Sequence, residues 1–581
     1  MFRSLHWAFL IAVRKLRRLG RTTRLMILSV ILGIVGAVGA AAFIQLLRYA
    51  QKFLLTPLSG YHLLTESEAV KLGAHIGMQH YLWLIPLATT LGGLLSGLLV
   101  YSLAPEAEGH GTDAAVKSYH HLNGFIRGRV PIVKAVASAI TIGSGGAAGR
   151  EGPIVQIAGG VGSVVGRWLR LSVEDKRFIL LMGVAAGLSA VFKSPLGSAI
   201  FAVEVLYSTM AFEGQALIYT VISSAVAYAC SGLMLGWEPL FALPRHIPPL
   251  NEWTDLFWFA LLGLCAGVVG AILPTVFYQM RDFFRSMKIP NVLKPALGGL
   301  LLGVLGIFLP QLLGGGYGWM QLAIQGNLPL MLMAILVLGK IVALSLTVSS
   351  GGSGGVFAPS LYVGVMVGGG VAVLVHLVSP GGAHPAAFAV VGMAALFAGA
   401  ARVPIATLIM VTEMTGGYTL ILPTMLAVAL SFIIQKGLTK NLKYPTLYEA
   451  QVERPVNSPA HRVRFYNAVA AMLRQHTVRL DEELVRQEVA ERLEKGEAIP
   501  LSKGPAGEEF LFTLHLEEDS PLIGYYIKHA RIPSGVLLVS IFRGNSVIIP
   551  HGDTSIERGD TLVVAATDEE FRKFRAYARK N

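Results

Sequence analysis

One glycine-rich motif occurs twice in this chain, and both copies lie inside long apolar stretches. Residues 141–153 read TIGSGGAAGREGP, and residues 347–359 read TVSSGGSGGVFAP. Glycines let the backbone approach a ligand closely, and a proline is well suited to the first turn of a helix. Each copy therefore predicts a helix start whose free N–H groups and dipole would face an anion. Aligned without gaps, the copies share Thr141/Thr347, Ser144/Ser350, Gly145/Gly351, Gly146/Gly352, Gly149/Gly355 and Pro153/Pro359.

A second pair of similar blocks follows in the same order, which indicates internal duplication. Residues 183–204 match residues 392–413 at nearly the same offset, and the two blocks end in Glu204 and Glu413. In membrane transporters, repeat halves with broken helices place the binding site where the halves meet. We therefore expect an anion site between the two glycine-rich helix starts.

The composition indicates a membrane protein. Only 14% of the 581 residues are charged, whereas soluble chains carry about 25%. The net charge of +13 does not indicate nucleic acid, because basic residues cluster at segment ends. Residues 1–24 hold seven Arg or Lys and no acid before the apolar run 25–47, which predicts a retained helix with a cytoplasmic N-terminus. Cys230 and Cys265 are interpreted as small buried hydrophobic side chains rather than a disulfide framework.

The apolar segments have uneven lengths, and several are shorter than the roughly twenty residues that cross a membrane as a helix. Short helices flanked by glycine-rich breaks are tolerated at membrane depth only where protein or a water-filled cavity satisfies their backbone. The chain is therefore predicted to fold as an all-α, multi-pass membrane protein with internal repeats, broken helices and an internal polar cavity.

The composition changes after about residue 440. We expect a membrane domain over residues 25–452, a charged helical linker over 453–507 and a compact α/β domain over 508–581. This soluble tail lies in the cytoplasm if the number of membrane crossings is even. Alternation predicts strands at 509–516, 536–542, 546–549 and 561–565, with a hairpin turn at Arg543-Gly544-Asn545.

Glu151 is a carboxylate in an apolar region, where a charge costs about 2.5–3.5 kcal/mol at mid-membrane. One interpretation is a structural charge paired with Arg150. The other is a gate, because a carboxylate at a helix start can occupy the position of a permeating anion, compete with it and leave on protonation. The residues alone leave both interpretations open.

Gly109-His110-Gly111 opens another apparent helix. It is either an ordinary loop with Thr112 or Asp113 as the N-cap, or a third contributor to the anion site. A histidine near an anion could donate a hydrogen bond or become charged near neutral pH. Alternatively, its imidazole turns away and only backbone N–H groups line the site.

Taken together, these motifs resemble the CLC family of chloride channels and proton-coupled chloride antiporters. The resemblance covers about residues 25–450 and is carried by Gly149-Arg150-Glu151-Gly152-Pro153, Gly355-Val356-Phe357-Ala358-Pro359, Gly109-His110-Gly111 and Tyr448. It implies a homodimer in a lipid membrane, with one anion pore per subunit built from inverted halves.

The resemblance also implies roles for single residues. Glu151 matches the family's external gating glutamate, which takes up protons, and Phe357 with the backbone of 356–358 matches the second anion-coordinating helix start. Tyr448 matches a tyrosine whose hydroxyl donates to the central anion. Lys134 matches a basic residue that raises the local potential.

Three departures from the family pattern bear on selectivity and coupling. His110 replaces the usual serine, and Thr112-Asp113-Ala114 replaces Ile-Pro-Glu. In family antiporters an inner glutamate that relays protons follows the position of Glu204, but here that position is Val205, which carries no proton. The sequence therefore favours a passive chloride channel over the alternative, a proton-coupled antiporter. Glu204 and Glu413 are interpreted as structural charges that cap or bridge helices.

The tail resembles the TrkA-C domain of regulatory subunits of potassium uptake and channel systems. The resemblance implies a regulatory, dimerising domain with a small-molecule or nucleotide ligand.

A potassium transporter or channel is a remote alternative, suggested by the tail and by Gly316-Tyr317-Gly318, although a carbonyl-lined filter needs more than one such triplet. No enzyme activity, cofactor or metal site is expected, because no residue cluster has the spacing that these require. The tail's resemblance rests on Ser520-Pro-Leu-Ile-Gly524, Arg543-Gly-Asn545, Pro550-His-Gly-Asp553 and Gly559-Asp560.

Overall fold

The computed structural model divides the chain into two compact units, Met1–Gln451 and Val452–Asn581. It describes residues 19–579 apart from 73–80, 245–246, 248–251, 381, 456–457, 461–498, 505–506, 517–519, 531, 534, 544–545 and 549. Most of the predicted basic N-terminal segment and most of the predicted linker therefore lie outside the described residues. The turn residues Gly544 and Asn545 do as well.

The first unit is helical throughout its described part, and long helices alternate with short ones. Among the described residues, seven helical spans are long and apolar enough to cross a membrane, and five further apolar helices have 10–17 residues. The helices are α1 (Arg21–Leu54), α2 (Thr56–Ser59), α3 (Glu66–Leu72), α4 (Ile85–Leu103), α5 (Thr112–His121), α6 (Val130–Gly143), α7 (Glu151–Trp168), α8 (Val173–Phe192), α9 (Pro195–Glu204), α10 (Gly214–Leu235), α11 (Asp255–Ser286), α12 (Lys294–Phe308), α13 (Tyr317–Ile324), α14 (Leu330–Val348), α15 (Phe357–Val378), α16 (Pro385–Ala401), α17 (Pro404–Thr415) and α18 (Ile421–Leu438).

The duplication extends to backbone geometry. Helices α4–α10 and α12–α18 correspond one to one in order, with α5 and α9 the shortest of the first set and α13 and α17 the shortest of the second, and α4 packs against α12. The matched glycines Gly145 and Gly351 have φ angles of +105° and +104°. Lys193 and Arg402 end α8 and α16 in the left-handed region, with φ angles of +58° and +54°. The chain thus folds as a polytopic helical protein with internal repeats, as predicted.

The two repeats interlock through their short helices α9 and α17. The Glu204 carboxylate at the end of α9 accepts hydrogen bonds from the amides of Ile405 and Ala406, at 3.2 and 2.7 Å, where α17 begins. Reciprocally, Glu413 on α17 accepts from the amides at the start of α9, Leu196 at 3.2 Å and Gly197 at 2.9 Å. Carboxylates satisfy the orphan N–H groups of helix starts, so both glutamates cap the partner repeat, as predicted.

Large apolar side chains cover the outside of the first unit. Leu233, Phe308 and Leu377 are 76–79% exposed, and they lie on three different helices. Such a continuous apolar exterior fits the hydrocarbon of a membrane.

The thiols of Cys230 and Cys265 are free. They are only half-buried, which corrects the prediction of buried side chains, because both lie on helices that present a face to the outside.

The second unit contains a five-stranded antiparallel sheet and the helix α19 (Asp568–Ala578). The strand order is β1-β2-β5-β3-β4, and Phe571 and Phe574 of α19 pack on the apolar side chains of the sheet. The strands are β1 (Ile499–Gly504), β2 (Gly507–His515), β3 (Leu537–Arg543), β4 (Ser546–Ile548) and β5 (Thr561–Thr567).

Strand β1 falls in the stretch that was predicted to be helical linker. It pairs with β2, with Gly504 opposite Gly507, and it forms one edge of the sheet. In the sequence, Pro500 suggests an interruption of regular secondary structure, but a proline is tolerated on an edge strand. The sheet therefore begins earlier than residue 508.

Candidate functional site

Three glycine-rich segments meet at one place in the first unit, which we call the junction. Gly149, before α7, and Gly355, before α15, exchange two backbone hydrogen bonds of 2.8 Å each. The amide of Gly354 donates to the carbonyl of Gly109, before α5, at 3.2 Å. Two helix starts from different repeats and a third loop therefore converge, as the repeated motifs predict.

The junction is so tight that two of its positions accommodate only glycine. A Cβ atom at Gly152 would overlap the His110 carbonyl oxygen and would lie 2.7 Å from the Gly355 Cα. A Cβ atom at Gly355 would lie 2.7 Å from the Gly152 amide nitrogen. Backbone atoms cannot move aside as a flexible side chain can, so these glycines set the separation of α7 and α15.

Glu151 is the first residue of α7 and is fully buried. Its Oε1 accepts a hydrogen bond from the Tyr317 hydroxyl, and Oε2 makes no hydrogen bond of good geometry with the described residues, although the Ala358 amide lies close to the carboxylate. Arg150 Nε lies 3.8 Å from Oε1, and Arg150 also pairs with Glu66 at 3.3 Å. The ion pair with Arg150 is therefore present, yet it leaves one carboxylate oxygen unsatisfied at the junction.

The rings of Phe357 and Tyr448 both lie near the ring of Phe201. The Phe357 ring, in the first turn of α15, is 5.8 Å from the Phe201 ring, and the Tyr448 ring is 6.5 Å from it. Tyr448 is 1% exposed, and its hydroxyl makes no hydrogen bond of good geometry with the described residues. A buried hydroxyl without a partner is rare in proteins, so it indicates room for a ligand.

His110 lies beside Tyr448, with 5.6 Å between the ring centroids. Its Nε2 is 3.5 Å from Asp113 Oδ2, and its Nδ1 is buried without a described hydrogen-bond partner. The imidazole therefore faces the tyrosine instead of turning away. Neither Thr112 nor Asp113 caps α5, because the N-cap is Gly111 and the Asp113 carboxylate accepts from the Ala450 amide at 3.1 Å.

Two buried lysines hold the loops that lead to the junction. Lys134 Nζ donates to the carbonyls of Ala107 and Gly109, at 3.0 and 2.6 Å. Lys340 occupies the equivalent position of the second repeat and donates to Leu312 and Gly314, at 2.8 and 2.7 Å. Each ammonium group thus fixes a loop by direct hydrogen bonds, in addition to any effect of its charge on the local potential.

The sequence predictions missed Tyr317 and Lys340. Gly316-Tyr317-Gly318 was considered only as a potassium-filter triplet, yet Tyr317 begins α13 and contacts Glu151. A signal was present: Gly314-Gly315-Gly316 follows Gly109-His110-Gly111 by 205 residues, and Lys340 follows Lys134 by 206. The repeat spacing therefore links the two loops.

Val205, at the predicted coupling position, is 3% exposed and immediately follows α9. Its carbonyl accepts a hydrogen bond from Gln451 Nε2 at 3.1 Å. The side chain has no ionisable group, so this position contributes packing and one backbone contact.

Two cavities with separate linings border the junction. One has a volume of about 580 Å³ and is lined by Arg150, Tyr317 and the end of α1; we call it the Tyr317 cavity. The other has a volume of about 510 Å³ and is lined by His110 and Asp113 with basic residues of α5 and α11; we call it the His110 cavity. Unpartnered polar atoms and helix starts between two cavities form a place where an anion can be held.

Two family models match the chain. The model described as voltage gated chloride channel covers residues 92–436, which is more than half of the chain. The TrkA-C domain model covers residues 511–579.

Curated relatives and solved structures give the same result. A putative chloride channel protein ClcB-like of Ralstonia nicotianae is 32% identical over 60% of this chain and 82% of that protein. An H(+)/Cl(-) exchange transporter ClcA of Vibrio campbellii is 32% identical over 62% of this chain and 78% of that protein. A crystal structure of a slow cyanobacterial Cl-/H+ antiporter shares the fold, with a TM-score of 0.62, 23% identity and coverage of 73% of this chain and 96% of that one. This chain therefore belongs to the voltage-gated chloride channel family, the CLC family.

Proposed function

We propose that this protein exchanges chloride for protons across a membrane. The observation that carries the proposal is the Glu151 carboxylate, which is buried at the junction of two helix starts with one oxygen unpartnered among the described residues. The family membership supports chloride as the anion. The relatives named H(+)/Cl(-) exchange transporters favour coupled exchange, so the passive channel that the sequence favoured is not confirmed.

In this mechanism a chloride ion and the Glu151 carboxylate compete for the same helix starts. The N-terminal ends of α7 and α15 favour a negative charge, the Tyr448 hydroxyl is available as a donor, and His110 Nδ1 can donate when it carries a proton. When Glu151 takes up a proton, its side chain loses the charge that holds it at the junction and an anion takes its place. Each return of the ionised carboxylate expels the anion.

Coupling in this proposal depends on Glu151 alone. Val205 cannot carry a proton, so residue 205 takes no part in proton transfer. Glu204 is engaged as a helix cap by two backbone amides, and it therefore serves the fold. Protons would reach Glu151 along the water-accessible cavities.

The distribution of charge suggests an orientation. The start of α1 is basic, and Arg21 and Arg24 pair with Asp175 at 2.8 and 2.9 Å, so the positive-inside rule places that end in the cytoplasm. The far end of α1 lines the Tyr317 cavity, which would then open to the outside. Arg281 and Arg285 line the His110 cavity, which would open to the cytoplasm.

We also propose that the protein is a homodimer and that its TrkA-C domain lies in the cytoplasm. The family resemblance supports the dimer, and the match over residues 511–579 supports a regulatory domain. A small-molecule or nucleotide ligand would bind this domain.

The reversal potential of purified protein in planar bilayers tests the proposal. Under symmetric chloride, a pH gradient should shift the reversal potential, because coupled exchange carries current only when chloride and protons move together. A reversal potential that ignores the pH gradient and follows chloride alone would show a passive channel instead.

A further inference from the structure

The second repeat carries its own version of the loop that leads to His110. Gly109 and Gly111 have φ angles of +72° and +82°, and Gly314 and Gly316 have φ angles of +60° and +80°. Each loop is tied by its own buried lysine and lines its own cavity. The residue that begins the following helix is Thr112 in the first repeat and Tyr317 in the second.

Tyr317 is held rigidly where it meets Glu151. The Arg150 guanidinium lies over its ring, 4.4 Å from the centroid. The Phe241 ring lies nearly parallel to it, with 6.5 Å between centroids and 24° between planes. The hydroxyl donates to Glu151 Oε1. A ring fixed by a cation and an aromatic partner presents its donor in one direction.

We propose that Tyr317 is a positioning residue that holds the ionised Glu151 side chain and sets the pH at which it is released. This inference rests on the proposed role of Glu151 as the gate. A hydrogen bond to the charged form of a carboxylate favours that form. The phenol therefore delays protonation of Glu151 as the pH falls, and the gate opens at a lower pH than it would without the phenol.

Few other charged groups face the Glu151 side chain. Arg150, from its own helix start, is the nearest cation, and Glu66 of α3 lies behind that arginine. The start of α15 contributes only the uncharged residues 355–358. The loop before α5 contributes the titratable His110, which faces Tyr448 and Asp113. Lys340 is turned to the carbonyls of its own loop.

The substitution Tyr317→Phe tests the inference, because it removes only the hydroxyl and keeps the ring beside Arg150 and Phe241. Chloride efflux from liposomes that contain the full-length protein is measured across pH. The pH of half-maximal flux should rise by about one to two units, the effect of losing one hydrogen bond to a charged group. A pH profile that coincides with that of the wild type would overturn the inference.

Two controls separate the phenol's effect from a general loss of structure. Tyr362→Phe removes another phenol of the same region, which donates to the Gln311 carbonyl at 3.3 Å, and it should leave the pH profile unchanged. In a Glu151→Gln background, Tyr317→Phe should have no further effect on the pH profile. An equal shift in that background, or in the Tyr362 variant, would assign the effect to packing and refute the positioning role of Tyr317. If Glu151→Gln abolishes the pH dependence while Tyr317→Phe changes nothing, the proposed exchange stands and only this inference fails.

Discussion

At the scale of single residues, the site is defined by polar atoms that the fold buries without satisfying. Glu151 Oε2, His110 Nδ1 and the Tyr448 hydroxyl make no hydrogen bond of good geometry with the described residues. An unsatisfied buried polar group costs about 1–3 kcal/mol, so a fold retains such groups where a ligand completes them. An anion meets the need of the Tyr448 hydroxyl, and that of His110 Nδ1 when it carries a proton, whereas a proton meets the need of the carboxylate.

His110 provides a test of anion selectivity. Replacing His110 by Ser removes the imidazole next to Tyr448, and we expect the flux of nitrate or fluoride relative to chloride to change about two- to tenfold, the effect of one neutral hydrogen bond. Ion-selective electrodes measure all three fluxes from the same liposomes. His121→Ser is the matched control, because His121 lines the same cavity but is exposed. Unchanged ratios in the His110 variant would mean that only the backbone sets selectivity.

The sequence predicted part of this site and missed another part. Glu151 was predicted from its place at a glycine-rich helix start, whereas Phe357 and Tyr448 were expected from the resemblance to the CLC family. Tyr317 was missed because its contact with Glu151 spans 166 residues and no local pattern marks it. The contact exists only because the two repeats pack against each other.

At the scale of helices, the separation of α7 and α15 depends on glycine. Their starts exchange backbone hydrogen bonds through Gly149 and Gly355, which is closer than helices with side chains at the contact can approach. Both helices begin inside the unit, where each start offers unsatisfied N–H groups. The glycine-rich breaks before α7 and α15 are therefore the elements that make the site.

A methyl group at the junction should separate these helices. We expect Gly152→Ala to destabilise the protein by about 1–3 kcal/mol and to abolish chloride flux, because its Cβ would overlap the His110 carbonyl oxygen. Gly39→Ala on α1 is the control, since no atom lies within 4 Å of a Cβ placed there. Thermal unfolding in detergent and flux in liposomes are measured for both variants. A Gly152→Ala variant as active and stable as the control would contradict the tight junction.

At the scale of the whole molecule, duplication builds a site that neither repeat holds alone. The sequence was sufficient to predict the repeats, the uneven helices and the separate α/β tail, because these follow from spacing and composition. It could not locate the start of the tail's sheet, since β1 contains Pro500 and pairs with β2 only in three dimensions. Val205 also did not decide between a passive channel and a proton-coupled antiporter, because the absence of one acidic side chain does not determine how protons move.

The most direct test of the central claim is simultaneous recording of chloride efflux and proton uptake in liposomes that contain Glu151→Gln. The amide keeps the size of the side chain but can neither ionise nor take up a proton. We predict that chloride efflux continues and no longer rises as the pH falls, while coupled proton uptake stops. Proton uptake that persists in this variant, or chloride efflux with the pH dependence of the wild type, would show that Glu151 is not the gate.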